Sequence, residues 1–184
     1  IDDPWLIGST GKPMTAALIA VLVERGTLSW DAPLSAMLPE LADSMRPEYR
    51  TITLVQMLSH RAGLPENLGD AARLDAYFTD RRPLPEQRRT YVAQALAEAP
   101  VHAPGSDYAY SNTGFLIAAV IAERATGQSF ETLMQTHVFD PLGMRGAGFG
   151  PTGEGQPRGH RGGAPALTLR KADDGVPMLF TPAG

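Results

Sequence analysis

Two stretches of this chain, Pro13 to Arg25 and Thr113 to Thr126, are too apolar to be left on a surface, and each runs into a glycine, Gly26 and Gly127. Apolar side chains cover most of the surface of a helix drawn over either one, which is the pattern of a helix enclosed by neighbours. A glycine just past the last helical turn supplies the stop, because it adopts the left-handed conformation at little cost. Any fold must therefore bury both helices. The longest unbroken apolar run, Ala16 to Val23, is far too short to cross a bilayer.

The segments between them read as shorter helices and loops. Thr53 is placed as the N-cap of a helix over Leu54 to Ser59, and His60 to Pro65 follows as a loop. Leu74 to Phe78 is weakly helical. Pro85 to Ala97 is a clearer helix, with proline at its start and Pro100 beyond its end. Val101 to Asn112 is a loop broken at Pro104-Gly105. Ser129 caps a helix over Phe130 to Val138, and Thr27 to Leu38 is irregular. From Gly143 to about Pro165 glycine, proline and small polar residues dominate, and no periodic pattern survives. Leu167 to Leu169 and Met178 to Phe180 are expected as short strands. There is no internal repeat and no βαβ alternation, so the segment reads as mainly α-helical with long loops and little strand.

A length of 184 residues suggests one domain, or a little more. The net charge of -4 argues against a general attraction to nucleic acid or anionic membrane. With no cysteine there is no disulfide, thiolate nucleophile or cysteine metal site. The histidines His60, His102, His137 and His160 are too scattered for a zinc spacing, so no metal and no cofactor are expected.

Chemistry is concentrated at Ser9-Thr10-Gly11-Lys12, directly before the first apolar helix. A serine and a lysine three positions apart share one face of a helical turn. A lysine in a first turn faces the positive end of the helix dipole, so another group should want its charge there. A serine that must act as a nucleophile at neutral pH needs such a base or cation. The bland alternative is an N-cap serine beside a solvated lysine. Tyr110-Ser111-Asn112 is the second candidate, at the end of a loop and before a buried helix. A phenol with a reference pKa of about 10 becomes a useful base only beside a cation, and Lys12 can be that cation. Asn112 adds an amide that donates and accepts. A phosphate loop is disfavoured, because Leu6 stands where its first glycine belongs and Pro13 removes an N–H from the cradle. No G-x-S-x-G elbow occurs, which excludes an α/β-hydrolase.

Together these residues resemble a known family. Ile7-Gly8-Ser9-Thr10-Gly11-Lys12-Pro13-Met14-Thr15-Ala16 is similar to the nucleophile motif of the serine β-lactamase and penicillin-binding family, in the branch of class C β-lactamases, DD-peptidases and β-lactamase-like carboxylesterases. Ile52 to Leu64 resembles that branch's helix ending in a Ser/Thr-His-x-x-Gly-Leu turn, and Pro104 to Gly114 its tyrosine motif. Thr126-Gly127 with Phe130, then Pro141 to Met144, then Pro182-Ala183-Gly184 follow in the family's order.

The resemblance implies an α+β β-lactamase/transpeptidase-like fold in the parent protein. Residues 1–184 would be an interior part of that single domain, the nucleophile helix plus the helical region, with strands before and after it absent. It implies that Ser9 attacks an acyl carbonyl and that its backbone N–H is one oxyanion donor. Lys12 and Tyr110 would form a coupled base, and Asn112 would bind substrate and orient Lys12. The partner implied is a small-molecule acyl substrate: an ester, β-lactam, D-amino peptide or amide, with ester favoured. The family's late Lys/His-x-Gly strand has no counterpart here, since His160-Arg161-Gly162 lies in a glycine-rich loop too soon after Tyr110. The segment alone is therefore expected to be inactive. The rival reading is a non-catalytic binding or assembly module on the same fold. The chain begins at Ile1 without an initiator methionine, so periplasmic, secreted and cytoplasmic locations stay open, as does the oligomeric state. Pro13 disfavours helix at Lys12, yet a turn over Ser9 to Lys12 is expected, because a proline is tolerated in a first turn.

Overall fold

In the computed structural model, residues 3–150, 156–157, 160–161, 164–165 and 178–183 are described. A 3₁₀ turn, Gly8–Gly11, leads into α1 (Lys12–Glu24). A single α-turn, α2 (Leu34–Met37), and the 3₁₀ turns Pro39–Leu41 and Pro47–Tyr49 precede α3 (Leu54–Leu58). There follow α4 (Ala71–Ala76), α5 (Leu84–Ala95), α6 (Thr113–Thr126) and α7 (Phe130–Met134), which widens into a π-turn at Gln135–Phe139. The strands among the described residues are β1 (His160–Arg161) and β2 (Ala164–Pro165), antiparallel with His160 opposite Pro165. A 3₁₀ segment, Met178–Ala183, is the last element.

Helix α6 is the axle of the molecule. Every residue from Thr113 to Glu123 is buried, and α1, α3, α5, α7 and the Met178–Ala183 segment all pack on it. Gly127 ends it in the left-handed conformation at φ 71°. At the other end Gly114 lets α3 come close, since a Cβ there would lie 2.9 Å from the Met57 carbonyl oxygen. By contrast α1 is buried along one face only, at Lys12, Thr15, Leu18, Ile19 and Leu22. Its open face carries the small side chains of Ala17 and Ala20, so little apolar area is left in water.

Side-chain caps account for three of the seven α-helix starts among the described residues. Thr53 and Gln56 form a reciprocal capping box on α3. Asp70 caps α4 through the N–H groups of Ala72 and Arg73, so that helix begins three residues earlier than its apolar pattern indicated. Ser129 caps α7. The expected strand at Met178 to Phe180 is instead 3₁₀. Its Leu179 and Phe180 are buried, and Phe180 meets the ring of Tyr91 edge-on at 5.2 Å. A three-residue apolar run does not declare its period, and here packing on α1, α5 and α6 decides it. The expected strand at Leu167 to Leu169 lies outside the described residues.

Two loops are laced together to carry the tyrosine motif. The Val101 N–H donates to the Gly63 carbonyl at 2.9 Å, Gly105 N–H to Arg61 at 2.7 Å, and Ala109 N–H to His60 at 2.9 Å. Gly63 sits at φ 70°, and a Cβ on it would run into the His102 carbonyl. The Gly63→Ala variant is therefore expected to lose at least about 1–3 kcal/mol of unfolding free energy from the left-handed backbone alone. Urea unfolding followed by circular dichroism measures it, and an unchanged midpoint would mean that the loops can part without cost.

Candidate active site

The turn ahead of α1 sets the first contact. Gly8 takes φ 53°, and the Thr10 hydroxyl donates to the Ile7 carbonyl at 2.6 Å. Lys12 is helical at φ -53° and ψ -42° despite Pro13. Pro13 is the second residue of α1, where the N–H it lacks would have no partner within the helix. The Lys12 ammonium consequently reaches Ser9 Oγ at 3.0 Å.

That ammonium has two further acceptors. It donates to Asn112 Oδ1 at 2.8 Å and to the Ala183 carbonyl at 2.7 Å. These partners take up the three N–H bonds of an ammonium, which explains how Lys12 can be only 6% exposed. The Thr15 hydroxyl, one turn on, donates to the Pro182 carbonyl at 2.8 Å and pins the same segment against α1.

Tyr110 arrives from the loop before α6, with Oη 2.7 Å from Ser9 Oγ. The Lys12 ammonium lies 4.8 Å from the centre of its ring. Partial burial pushes the phenol up, but the nearby Lys12 ammonium and the hydrogen bond to Ser9 outweigh it, and the net pKa lies below the ordinary value of 10.0. Asn112 is oriented at both ends: its oxygen faces Lys12, and its Nδ2 donates to Asn67 Oδ1 at 3.1 Å.

Ser9, Lys12, Tyr110 and Asn112 thus form one hydrogen-bonded cluster, although positions 12 and 112 are a hundred residues apart. Three participants were not singled out from the sequence. The Ala183 carbonyl is a backbone group and leaves no residue-type signal. Asn67 carries no motif of its own. His60 stacks on Tyr110 with ring centres 4.7 Å apart; the Ser-His-x-x-Gly-Leu turn that holds it was legible, its contact with Tyr110 was not. The backbone of His160 pairs with Pro165 in the small hairpin. Among the described residues, no group of three or more His, Cys, Asp or Glu could hold a metal ion, and no helix is long and apolar enough to cross a membrane.

Known proteins share this framework. The family model described as Beta-lactamase matches residues 2–184. The D-alanyl-D-alanine-carboxypeptidase/endopeptidase AmpH of Escherichia coli K12 is 33% identical over 153 residues, covering 83% of this chain and 38% of that protein. Esterase EstB of Burkholderia gladioli is 35% identical over 164 residues, covering 80% of this chain and 39% of that protein. The crystal structure of a D-stereospecific amidohydrolase from a Streptomyces species superposes with a TM-score of 0.67 at 26% identity, covering 85% of this chain and 48% of that one. The chain spans less than two-fifths of the length of these two curated relatives.

Proposed function

From the premise that this chain belongs to the beta-lactamase family of hydrolases, we propose that it carries the nucleophile of a serine acyl hydrolase, with Ser9 forming the acyl-enzyme. The observation that carries this reading is the hydroxyl of Ser9 held between a cation and a phenol, 3.0 Å from Lys12 Nζ and 2.7 Å from Tyr110 Oη. A protein that only binds needs neither contact. Both groups donate to Ser9 Oγ in the structure, and an ammonium can only donate, so Tyr110, once its phenol has lost its proton, is the receiver of the proton of Ser9.

In the proposed cycle Tyr110, as phenolate, takes the proton of Ser9 while Oγ bonds to the acyl carbon. Lys12 stabilises the phenolate before transfer and the serine oxygen as charge builds on it. The backbone N–H of Ser9 is one donor to the oxyanion of the tetrahedral intermediate. As the intermediate collapses, Tyr110 returns the proton to the leaving alcohol or amine. Water then attacks the acyl-enzyme, giving one proton to Tyr110, which passes it to Ser9 Oγ as that oxygen is expelled and so returns to the phenolate. Asn112 Nδ2 has two hydrogens, of which Asn67 takes one, leaving the other as the group to hold a substrate carbonyl. Peptidase, esterase and amidohydrolase names among the relatives fit one shared acylation step. An ester is the favoured substrate class, because its acyl-enzyme demands least of the second half-reaction.

The test is to treat the full-length protein carrying this sequence with a fluorophosphonate, digest it, and locate the adduct by mass spectrometry. The expected result is a single phosphonylated peptide containing Ser9, absent from the Ser9→Ala variant. Equal labelling of Ser9→Ala, or no labelling of a protein with native circular dichroism, would overturn the reading.

A further inference from the structure

Tyr110 is held from three directions by one residue. The carbonyl of His60 accepts the N–H of Ala109 at 2.9 Å, and its Nδ1 accepts the N–H of Ser111 at 3.0 Å. These are the residues on either side of Tyr110. Between the two bonds the imidazole lies against the phenol ring, 4.7 Å between centres at an interplanar angle of 29°. Phe115 of α6 and Tyr108 close around the same imidazole at 5.4 Å and 5.6 Å. To reach this position His60 adopts φ 60°, and among the described residues no other non-glycine residue has a positive φ. Sparsely populated backbone of this kind persists where the surroundings hold it in place, often near a reacting group.

We propose that His60 is a positioning residue for Tyr110: in its neutral Nε2–H form it clamps the backbone on both sides of the phenol and backs its ring, so that Oη stays on Ser9. The proposal rests on the reading of Tyr110 as the base. A backbone N–H can only donate, so Nδ1 must be unprotonated for the clamp to close. Protonation places a second N–H against that of Ser111 and opens it. Among the described residues, the titratable groups facing the imidazole are the phenols of Tyr108 and Tyr110 in ring contact and, through its charge, Lys12 of α1, while α6 contributes the ring of Phe115. Burial first, and then the charge of Lys12, hold the imidazole below its ordinary 6.5, which keeps the clamp closed at neutral pH.

The experiment measures the fluorophosphonate labelling rate against pH, and the Tyr110 titration by NMR of ring-labelled tyrosine, in full-length protein and in His60→Asn. Asparagine tolerates the left-handed backbone and lacks the ring. Expected is a roughly 10- to 100-fold slower labelling rate in His60→Asn, the size ascribed to misplacing a reacting group by about 1 Å. With it the Tyr110 titration should move upward as the phenol leaves Lys12. Unchanged rate with unchanged titration overturns the proposal, and so does a slower rate with unchanged titration, which a merely structural role would give. If His60→Asn does not fold, the wild-type profile decides. The logarithm of the rate should steepen from one proton to two as pH falls through the His60 titration, and a single slope overturns the clamp. Tyr110→Phe is the separate control: if it labels at the wild-type rate, the base assignment itself has failed.

Discussion

Replacing Lys12 by methionine is expected to slow acylation about 10³- to 10⁴-fold, or about 4–5.5 kcal/mol of transition-state stabilisation. The methionine fills a comparable volume but removes every donor at the centre of the cluster. Ser9 loses the contact at 3.0 Å, and the Asn112 oxygen and Ala183 carbonyl lose their shared partner. Tyr110 loses the neighbouring cation that offsets its burial, so its phenol titrates higher. Wild-type labelling should rise with pH through the lowered phenol titration, because in the proposed cycle the deprotonated form takes the Ser9 proton. In Lys12→Met that rise should be displaced to higher pH as well as reduced in height. Lys12→Arg should not rescue it, since a planar guanidinium cannot direct its donors to three acceptors placed around one point. Labelling kinetics between pH 6 and 11 decide the matter. A variant with wild-type rate would remove Lys12 from the mechanism.

The second large effect concerns stability and lies away from the chemistry. Arg88 of α5 is fully buried and joins three helices. Its Nη2 reaches Glu123 of α6 at 2.6 Å, and its Nη1 and Nη2 reach the two carboxylate oxygens of Glu131 of α7, each at 2.9 Å. Glu123 also accepts the N–H of Phe130 at the start of α7. Arg88→Ala leaves two carboxylates facing each other with little water, and it should cost about 3–5 kcal/mol. The cost comes mainly from the abandoned charges, not from a net gain of the intact triad. The triple variant Arg88→Met, Glu123→Gln, Glu131→Gln should accordingly recover much of the loss. Urea midpoints of the two variants measure it. Equal destabilisation by both would show that packing, not charge, governs this junction.

How much of this was written in the sequence differs from element to element. Helix α6 and its glycine stop were legible to the residue, because a segment apolar all round with a following glycine admits few other conformations. The capping box on α3 was half visible: Thr53 was placed as the cap, and Gln56 completes it. Asp70 was passed over because the helix it starts, α4, has only a weak apolar face. Ser9, Lys12, Tyr110 and Asn112 were legible as residue types, and their family-like order predicted that they meet. The rest of the site was not legible, for a physical reason. The third acceptor of Lys12 is the carbonyl of Ala183, and every residue has a carbonyl. The role of His60 depends on one backbone angle and a ring-to-ring distance that no spacing encodes. The Met178–Ala183 segment was misjudged because six residues docking on α1 and α6 take their shape from that surface.

The three acceptors gathered on the Lys12 ammonium come from positions 9, 112 and 183, close to the beginning, middle and end of the described chain. Closing loops of that length costs conformational entropy that only the rest of the core can offset. The full set of three bonds therefore exists only where these segments are folded together, although the Ser9–Lys12 contact is local to one turn. A copy that has not brought them together would display an ordinary serine. On the proposed function, labelling by an acylating reagent would report that positions 9, 112 and 183 have been gathered on the same lysine.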